Sequence, residues 1–185
     1  EIYSQLDNRE GMIQALSNQS AIHIREDRLD EAAVLIQSAE KMATASGKVL
    51  THVLNNKGVL LTRQQRYDEA ETTLLEALEA TTPENIHTYA TVCSSLGNLM
   101  VEKTDYGKAL TFYDKALLLD RQSEFHPGLA DTLSAVGRVY LQQKKYKQAV
   151  GYFQRSVKIY ALLGNSEQVS RTMSILEETA TRSNT

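Results

Sequence analysis

The chain has 185 residues and a formal net charge of −3, with nine glycines, two prolines and no tryptophan. Its 23 acidic and 20 basic residues are mixed along the chain without a block of either sign, so we expect no nucleic-acid partner. No apolar run reaches the ~18 residues of a membrane-spanning helix, which argues against direct insertion into a membrane. Length and composition favour one soluble domain.

A single cysteine, Cys93, excludes an internal disulfide framework and leaves the cellular compartment open. A cytoplasmic location is slightly favoured. A periplasmic or lipid-anchored protein would need a signal upstream of these residues, because the N-terminus lacks the basic and apolar regions of a signal peptide.

One phrase occurs four times along the chain. It reads "DRLDEAAVLIQSAEK", "QRYDEAETTLLEALEA", "TDYGKALTFYDKALLL" and "KKYKQAVGYFQRSVKI". Aligned on a shared alanine, the copies step by 38, 39 and 40 residues, at Ala32, Ala70, Ala109 and Ala149. A fixed period of this size predicts stacked helical repeats.

Small and large side chains recur at fixed distances from each alanine. Twelve residues before it stands a small residue, at Ser20, Gly58, Gly97 and Gly137. Seven residues after it stands another, at Ala39, Ala77, Ala116 and Ser156. Four residues after it stands a large side chain, at Ile36, Leu74, Tyr113 and Phe153. This spacing predicts two amphipathic helices per unit that approach closely at the small residues.

Breaks fall between the units, around Gly47, Pro83, Pro127 and Gly164, and short turns fall within them. Short turns require the two helices of a unit to be antiparallel neighbours. Thr82 looks like an N-cap, with Pro83 at the first helical position. No segment alternates with period two, so we predict no strands.

The fourth unit resembles the tetratricopeptide repeat, whose pattern it matches at Leu133, Val136, Gly137, Tyr140, Ala149, Phe153 and Ser156. The units depart from the pattern in exceeding 34 residues and lacking the closing proline, and the first has Ser20 and His23 in place of Gly and Tyr. Long units of this kind are similar to those of kinesin light chains, Leu-Gly-Asn-type polarity adaptors and bacterial multi-repeat proteins. The resemblance implies an all-α, right-handed superhelix of antiparallel helix pairs.

We expect one domain of four repeats, at residues 9–45, 47–81, 83–122 and 127–163, followed by a capping helix at 166–181. The phrase "IYSQLDNRE" at Ile2 matches "IYALLGNSE" at Ile159, which ends a second helix. Residues 1–7 are therefore interpreted as the end of a preceding repeat, and the chain as a fragment of a longer array.

The family's geometry implies a concave groove lined by the first helices. Its predicted lining residues are Gln14, Ser17, His52, Asn55, Arg63, Thr91, Ser94, Asn98, Asp131, Ser134, Arg138 and Gln142, with Ala21, Val59 and Glu102 beside them. Amides, hydroxyls and isolated charges suit a peptide backbone, since an Asn carboxamide offers both an acceptor and donors. The resemblance therefore implies an adaptor that binds an extended peptide or a partner helix. The lysines of a carboxylate clamp are absent, which disfavours chaperone-tail binding of that type.

Two other functions are compatible with a stacked helical array. A structural spacer or homodimer would use the same stacked surfaces without a peptide ligand. An enzyme ranks last, because the chain has no phosphate-binding glycine loop and no nucleophile motif. We expect no cofactor and no metal, since His52, His87 and His126 lie on different helices and His23 occupies a core position.

Overall fold

The computed structural model describes the backbone of residues 2–43, 47–82 and 84–183, and the side chains of 9–43, 50–82 and 84–183. Within these ranges the chain forms nine α-helices and no strand. The helices are α1 Ile2–Arg25, α2 Leu29–Met42, α3 Gly47–Arg63, α4 Tyr67–Glu79, α5 Ile86–Glu102, α6 Tyr106–Gln122, α7 His126–Gln142, α8 Tyr146–Leu162 and α9 Ser166–Ser183. The all-α prediction is confirmed.

The helices pack as consecutive pairs, α1 with α2, α3 with α4, α5 with α6 and α7 with α8, and α9 packs on α8. The first helices also touch one another, α1 on α3, α3 on α5 and α5 on α7. Each second helix contacts the first helix of the next pair. Every pair therefore buries its apolar stripe against a neighbouring pair, which is how a helical repeat array is stabilised.

Close approach within a pair depends on the predicted small residues. A Cβ added at Gly97 would lie 2.6 Å from Cε1 of Tyr113, and one added at Gly137 would lie 2.8 Å from Cε1 of Phe153. Both rings are buried, and each belongs to the residue sixteen positions after its glycine. The predicted pairing of small and large side chains is confirmed here, because no other residue leaves room for the ring.

Six three-residue linkers in the described part of the chain share one conformation. The middle residue is left-handed, with φ of 53–70°, at Asp27, Gln65, Thr104, Glu124, Lys144 and Gly164. In one of them, the Asp105 N–H donates to the Met100 carbonyl at 2.9 Å and the Thr104 N–H to the Val101 carbonyl at 2.9 Å. These two bonds define a Schellman motif, which closes the end of the preceding helix.

The start of α5 differs from the prediction. Asn85, not Thr82, occupies its N-cap position, and the helix begins at Ile86. The Asn85 N–H donates to the Thr82 carbonyl at 3.0 Å, and its Nδ2 donates to Thr82 Oγ1 at 2.9 Å. These bonds form a tight turn that delays the helix. Pro83 lies outside the described residues.

The first helix runs through the boundary that was expected between residues 7 and 9. α1 is one continuous helix of 24 residues from Ile2, with no turn near residue 8. The assignment of residues 1–7 to a preceding repeat stays a prediction, because their side chains lie outside the described residues.

The buried apolar residues form two clusters. One contains Ile13, Ile24 and Ile36 from α1 and α2, together with Val53 and Leu60 of α3. The larger cluster extends from α3 to α7 and lies around Leu74, Leu96, Tyr113 and Leu133. Leu60 belongs to the first cluster and its neighbour Leu61 to the second, so α3 lies between both cores.

Candidate binding groove

A cleft of about 590 Å³ opens along the first helices α3, α5 and α7, toward their C-terminal ends. We call it the central cleft. Its lining residues are Val59, Thr62, Arg63, Gln65, Tyr67, Ser95, Asn98, Val101, Glu102, Tyr113, Ala135, Arg138, Val139 and Gln142. Because the first helices contact each other directly, the equivalent faces of three consecutive repeats form one continuous surface.

Four of the twelve predicted groove residues lie in the central cleft, namely Arg63, Asn98, Arg138 and Gln142. Val59 and Glu102, which were expected beside them, line it as well. These six residues occupy two places in the repeat. One place lies one residue, and the other five residues, after the glycine at which the two helices of a pair approach closely. Both places face away from the paired second helix, because they lie off the face on which the glycine packs.

The Asn98 side chain is held by a residue behind it. Tyr113 Oη donates a hydrogen bond of 2.7 Å to Asn98 Oδ1. Tyr113 is 1% exposed, whereas Asn98 is exposed. Burial raises the pKa of the Tyr113 hydroxyl, so it remains a donor at all physiological pH values.

The charges of the central cleft are only partly compensated within the chain. Arg63 Nη2 forms an ion pair of 2.7 Å with Asp27 Oδ1. Arg138 forms no ion pair among the described residues, although its charge opposes the raised pKa of Asp131, and its Nη2 donates only a long 3.4 Å bond to Ser134 Oγ. Glu102 likewise forms no ion pair in that part of the chain. A cation and an anion are thus available to a ligand in one cleft.

Three predicted groove residues are buried instead. Ser17 is 3%, Asn55 7% and Ser134 2% exposed. Ser17 accepts hydrogen bonds from Asn56 Nδ2, at 2.7 Å to its carbonyl and 3.0 Å to its hydroxyl. Their shared place in the repeat therefore lies where consecutive first helices touch. In the structure these three side chains are buried and do not line the central cleft.

The equivalent Ser94 also lies at such a contact, since its Oγ is 3.4 Å from Thr132 Oγ1 on the next first helix. Asn55 Oδ1 is buried without a hydrogen-bond partner among the described residues. In the phrase "LNNKG" it is Asn56, not Asn55, that joins two repeats. The sequence alone could not distinguish the two amides.

The remaining predicted residues lie outside the lining of the central cleft. Gln14 and Thr91 bond within their own helices, Gln14 Nε2 to Asn18 Oδ1 at 2.9 Å and Thr91 Oγ1 to the His87 carbonyl at 3.0 Å. His52 is half-buried on α3. Asp131 accepts a hydrogen bond from Tyr160 Oη.

Asp131 belongs to a pair of carboxyl groups at the junction of α6 and α7. Asp120 is 3% exposed, and burial, with a smaller contribution from Asp131, raises its pKa to about 6. Asp131 is exposed, but nearby protein atoms partly shield its carboxyl from water and raise its pKa, although the Tyr160 hydroxyl bond and Arg138 oppose that shift. Neither sequence period nor motif indicated this pair.

Several lining residues were missed by the sequence analysis. Gln65 lies in a linker and Tyr67 begins a second helix, so neither belongs to the first-helix pattern used for the prediction. Thr62, Ser95 and Ala135 lie on first helices, at places next to the predicted ones. Helical spacing could have identified these three residues too, because they neighbour the predicted places and only the rotation of each helix decides which of the two faces the cleft.

The described residues form no metal site and no membrane span. No group of three or more His, Cys, Asp or Glu side chains converges there as a metal site would require. No helix in those ranges is both long enough and apolar enough to cross a bilayer. Cys93 is fully buried, and burial raises the pKa of its thiol to about 11. Cys93 thus lies among the buried residues of α5.

Known proteins share both the sequence pattern and the fold. Tetratricopeptide repeat models match residues 88–161 and 50–82, together more than half of the chain. No curated protein sequence matches this chain significantly.

Two solved structures resemble the whole array. BtubC (BKLC) from P. vanneervenii superposes with a TM-score of 0.68 at 15% identity, covering 98% of this chain and 85% of its own. A Signal Transduction ATPase with Numerous Domains from Pyrococcus horikoshii, which has a tetratricopeptide repeat sensor, superposes with a TM-score of 0.71 at 14% identity. The match covers 92% of this chain and 27% of the ATPase. At these identities the likeness concerns the fold.

The matched models cover the repeats that form the central cleft, and the superposed structures share their helical array. The chain therefore belongs to the tetratricopeptide repeat family, whose domains generally serve as protein-interaction modules.

Proposed function

We propose that this chain is an adaptor that binds an extended segment of a protein partner in the central cleft. The observation that carries this proposal is the presence of Arg138 and Glu102, both without an ion-pair partner in the described residues, in one cleft beside Asn98. Polar groups exposed in a concave surface are available to fix the position of a ligand.

The dimensions of the cleft support an extended peptide. Three packed first helices at about 8–10 Å between axes span roughly 20 Å. An extended chain rises about 3.3 Å per residue, so about six residues cross the cleft. Its volume of about 590 Å³ is within the usual range for ligand sites.

The expected affinity is moderate. Three hydrogen bonds at roughly 0.5–1.5 kcal/mol each, with some apolar burial at Val59 and Val101, correspond to micromolar rather than nanomolar binding. Such affinity suits a module in which several contacts along an array add together.

A second function, self-association without a peptide ligand, is favoured by one specific observation. Ile22 on α1 is 42% exposed, whereas the residues at the same place in later repeats are buried, at Leu60, Leu99 and Val139. This end of α1 therefore presents an exposed apolar face, whereas the equivalent face of each later first helix is buried. A second copy of the chain would bury it.

Selection from a displayed library of random peptides tests the adaptor proposal. Enriched peptides are then titrated by fluorescence anisotropy against the natural chain and against Arg138→Ala. We expect the variant to weaken binding by about tenfold, as for loss of a charged hydrogen bond. Arg171→Ala is the matched control, since Arg171 is exposed on α9 outside the central cleft.

Two results would contradict the adaptor proposal. One is binding that is equally strong in Arg138→Ala and Arg171→Ala. The other is failure to enrich any peptide, combined with a concentration-dependent dimer in sedimentation velocity. The second result would support self-association instead.

A further inference from the structure

The hydrogen bond between Tyr113 and Asn98 determines which way the amide of Asn98 points. A buried hydroxyl needs an acceptor for its proton, and Asn98 Oδ1 fills that role at 2.7 Å. If the amide were reversed, Nδ2 would donate to the hydroxyl oxygen, and the hydroxyl proton would have no acceptor among the described residues. The orientation with oxygen toward Tyr113 is therefore favoured.

Tyr113 cannot easily move away from this bond. Its ring lies directly against Gly97, where even a Cβ would come within 2.6 Å of Cε1. The residue is fully packed within the larger core cluster. The position of the Tyr113 hydroxyl is thus fixed by packing, and the exposed Asn98 side chain is the partner that can reorient.

With its oxygen turned toward Tyr113, Asn98 directs its Nδ2 group to the open side. No described residue accepts a hydrogen bond from that nitrogen. Asn98 lines the central cleft, so both N–H groups are available there. The general expectation that an Asn in the groove both donates and accepts does not hold at this position.

The same place in the next repeat is occupied by Arg138, which also offers only donors. Its guanidinium lines the same cleft, and its contact with Ser134 Oγ at 3.4 Å leaves most of its N–H groups free. Asn98 and Arg138 therefore form two consecutive donor positions on neighbouring first helices.

We propose that Asn98 and Arg138 form a donor-only subsite that recognises oxygen acceptors of the bound segment, with Tyr113 as the positioning residue that sets the polarity of the Asn98 amide. This inference rests on the proposed function. The acceptors are main-chain carbonyl or side-chain carboxylate oxygens, which share the chemistry that the subsite selects.

Replacing the Asn98 amide with the carboxylate of Asp, which has the same shape but accepts hydrogen bonds, tests the subsite. The probe is a peptide enriched on the natural chain from the random library, and the variants are Asn98→Asp and Asn98→Ala. We expect Asn98→Asp to weaken binding by about tenfold or more, and more than Asn98→Ala, because it replaces two donors with a charged acceptor. Equal or tighter binding by Asn98→Asp would overturn the proposal.

The positioning role of Tyr113 needs a separate readout. Tyr113→Phe keeps the ring against Gly97 and removes only the hydroxyl. We expect a loss of about threefold or more in affinity, as for a neutral hydrogen bond, and altered Asn98 side-chain NH₂ signals in nitrogen-15 NMR spectra of the free protein. Unchanged affinity together with unchanged NH₂ signals would show that Tyr113 does not set the amide.

Two comparisons separate this inference from the proposed function. A peptide that requires Arg138 but tolerates Asn98→Asp overturns the donor-only subsite and leaves the adaptor proposal intact. Failure to enrich any peptide that depends on Arg138 overturns both. Where the subsite is supported, replacing the peptide's acidic residues with their amides identifies the acceptor: lost binding indicates a carboxylate, and retained binding a main-chain carbonyl.

Discussion

Gly97 and Tyr113 lie so close that a single added carbon on Gly97 would stand 2.6 Å from the tyrosine ring. This contact joins the two helices of the third repeat, and it also holds the hydroxyl that orients Asn98. Core packing and the chemistry of the cleft thus depend on the same residue pair.

Substitution at Gly97 is expected to destabilise the chain. Gly97→Ala should lower the free energy of unfolding by about 1–3 kcal/mol through overpacking, and Gly97→Leu should unfold the third repeat. Gly151→Ala is the matched control, because nothing lies within 4 Å of a Cβ there. In a helix interior that change should stabilise by about 0.5–1 kcal/mol. Thermal melts followed by circular dichroism measure both, and shifts of the same sign would contradict the contact.

The left-handed linker residues predict a stabilising change. Thr104 has φ of 59°, a conformation that is costly for a β-branched residue. Thr104→Gly should raise the melting temperature by about 2–4 °C, the shift expected for ~1 kcal/mol in a chain of this size. Gly164→Ala should do the reverse, since Gly164 has φ of 70°. A lower melting temperature for Thr104→Gly would show that its conformation is not strained.

Asp120 predicts how stability depends on pH. Its pKa is raised to about 6 from an ordinary value of 3.8, so the protonated form favours the folded state. This contribution is fully present below about pH 4 and is lost as the pH rises through about 6. Asp120→Asn should therefore stabilise the chain at pH 8 and change little at pH 4. Denaturant titrations at the two pH values provide the measurement, and an equal effect at both would exclude the titration of Asp120.

Ile22 and Leu60 predict different responses to the same change. Ile22→Gln should alter the melting temperature little, because that side chain is 42% exposed. Leu60→Gln should destabilise by about 2–5 kcal/mol, because Leu60 is 5% exposed and belongs to a core cluster. If the exposed face mediates self-association, Ile22→Gln should also abolish the dimer in sedimentation velocity. A severe loss of stability in Ile22→Gln would show that this face is already covered.

The repeat architecture could be predicted because small and large residues recur at fixed distances along the sequence. The distance of sixteen residues from Gly97 to Tyr113 recurs from Gly137 to Phe153, and both contacts are found. The six linkers could not be predicted as one motif. Their left-handed residues include Asp27 and Lys144, and only one of the six is a glycine.

The cleft was predicted in part, because helical spacing identifies a face but not its rotation. Arg138 and Gln142 face the central cleft, whereas Ser134, on the same helix, is buried where first helices touch. The role of Tyr113 required three dimensions, since its hydroxyl reaches Asn98 from the second helix. A side chain that orients a residue on another helix cannot be recognised from the periodicity of the sequence.

The division of the core at α3 has a consequence for cooperativity. Leu60 and Leu61 are neighbours in sequence but belong to different core clusters. α3 is therefore the boundary between an N-terminal and a C-terminal part of the array, which can unfold locally at different free energies. Arg63 and Val59, one wall of the central cleft, lie on this boundary helix. A segment bound across α3, α5 and α7 would therefore slow amide hydrogen exchange beyond its own footprint, in the N-terminal helices that it does not touch.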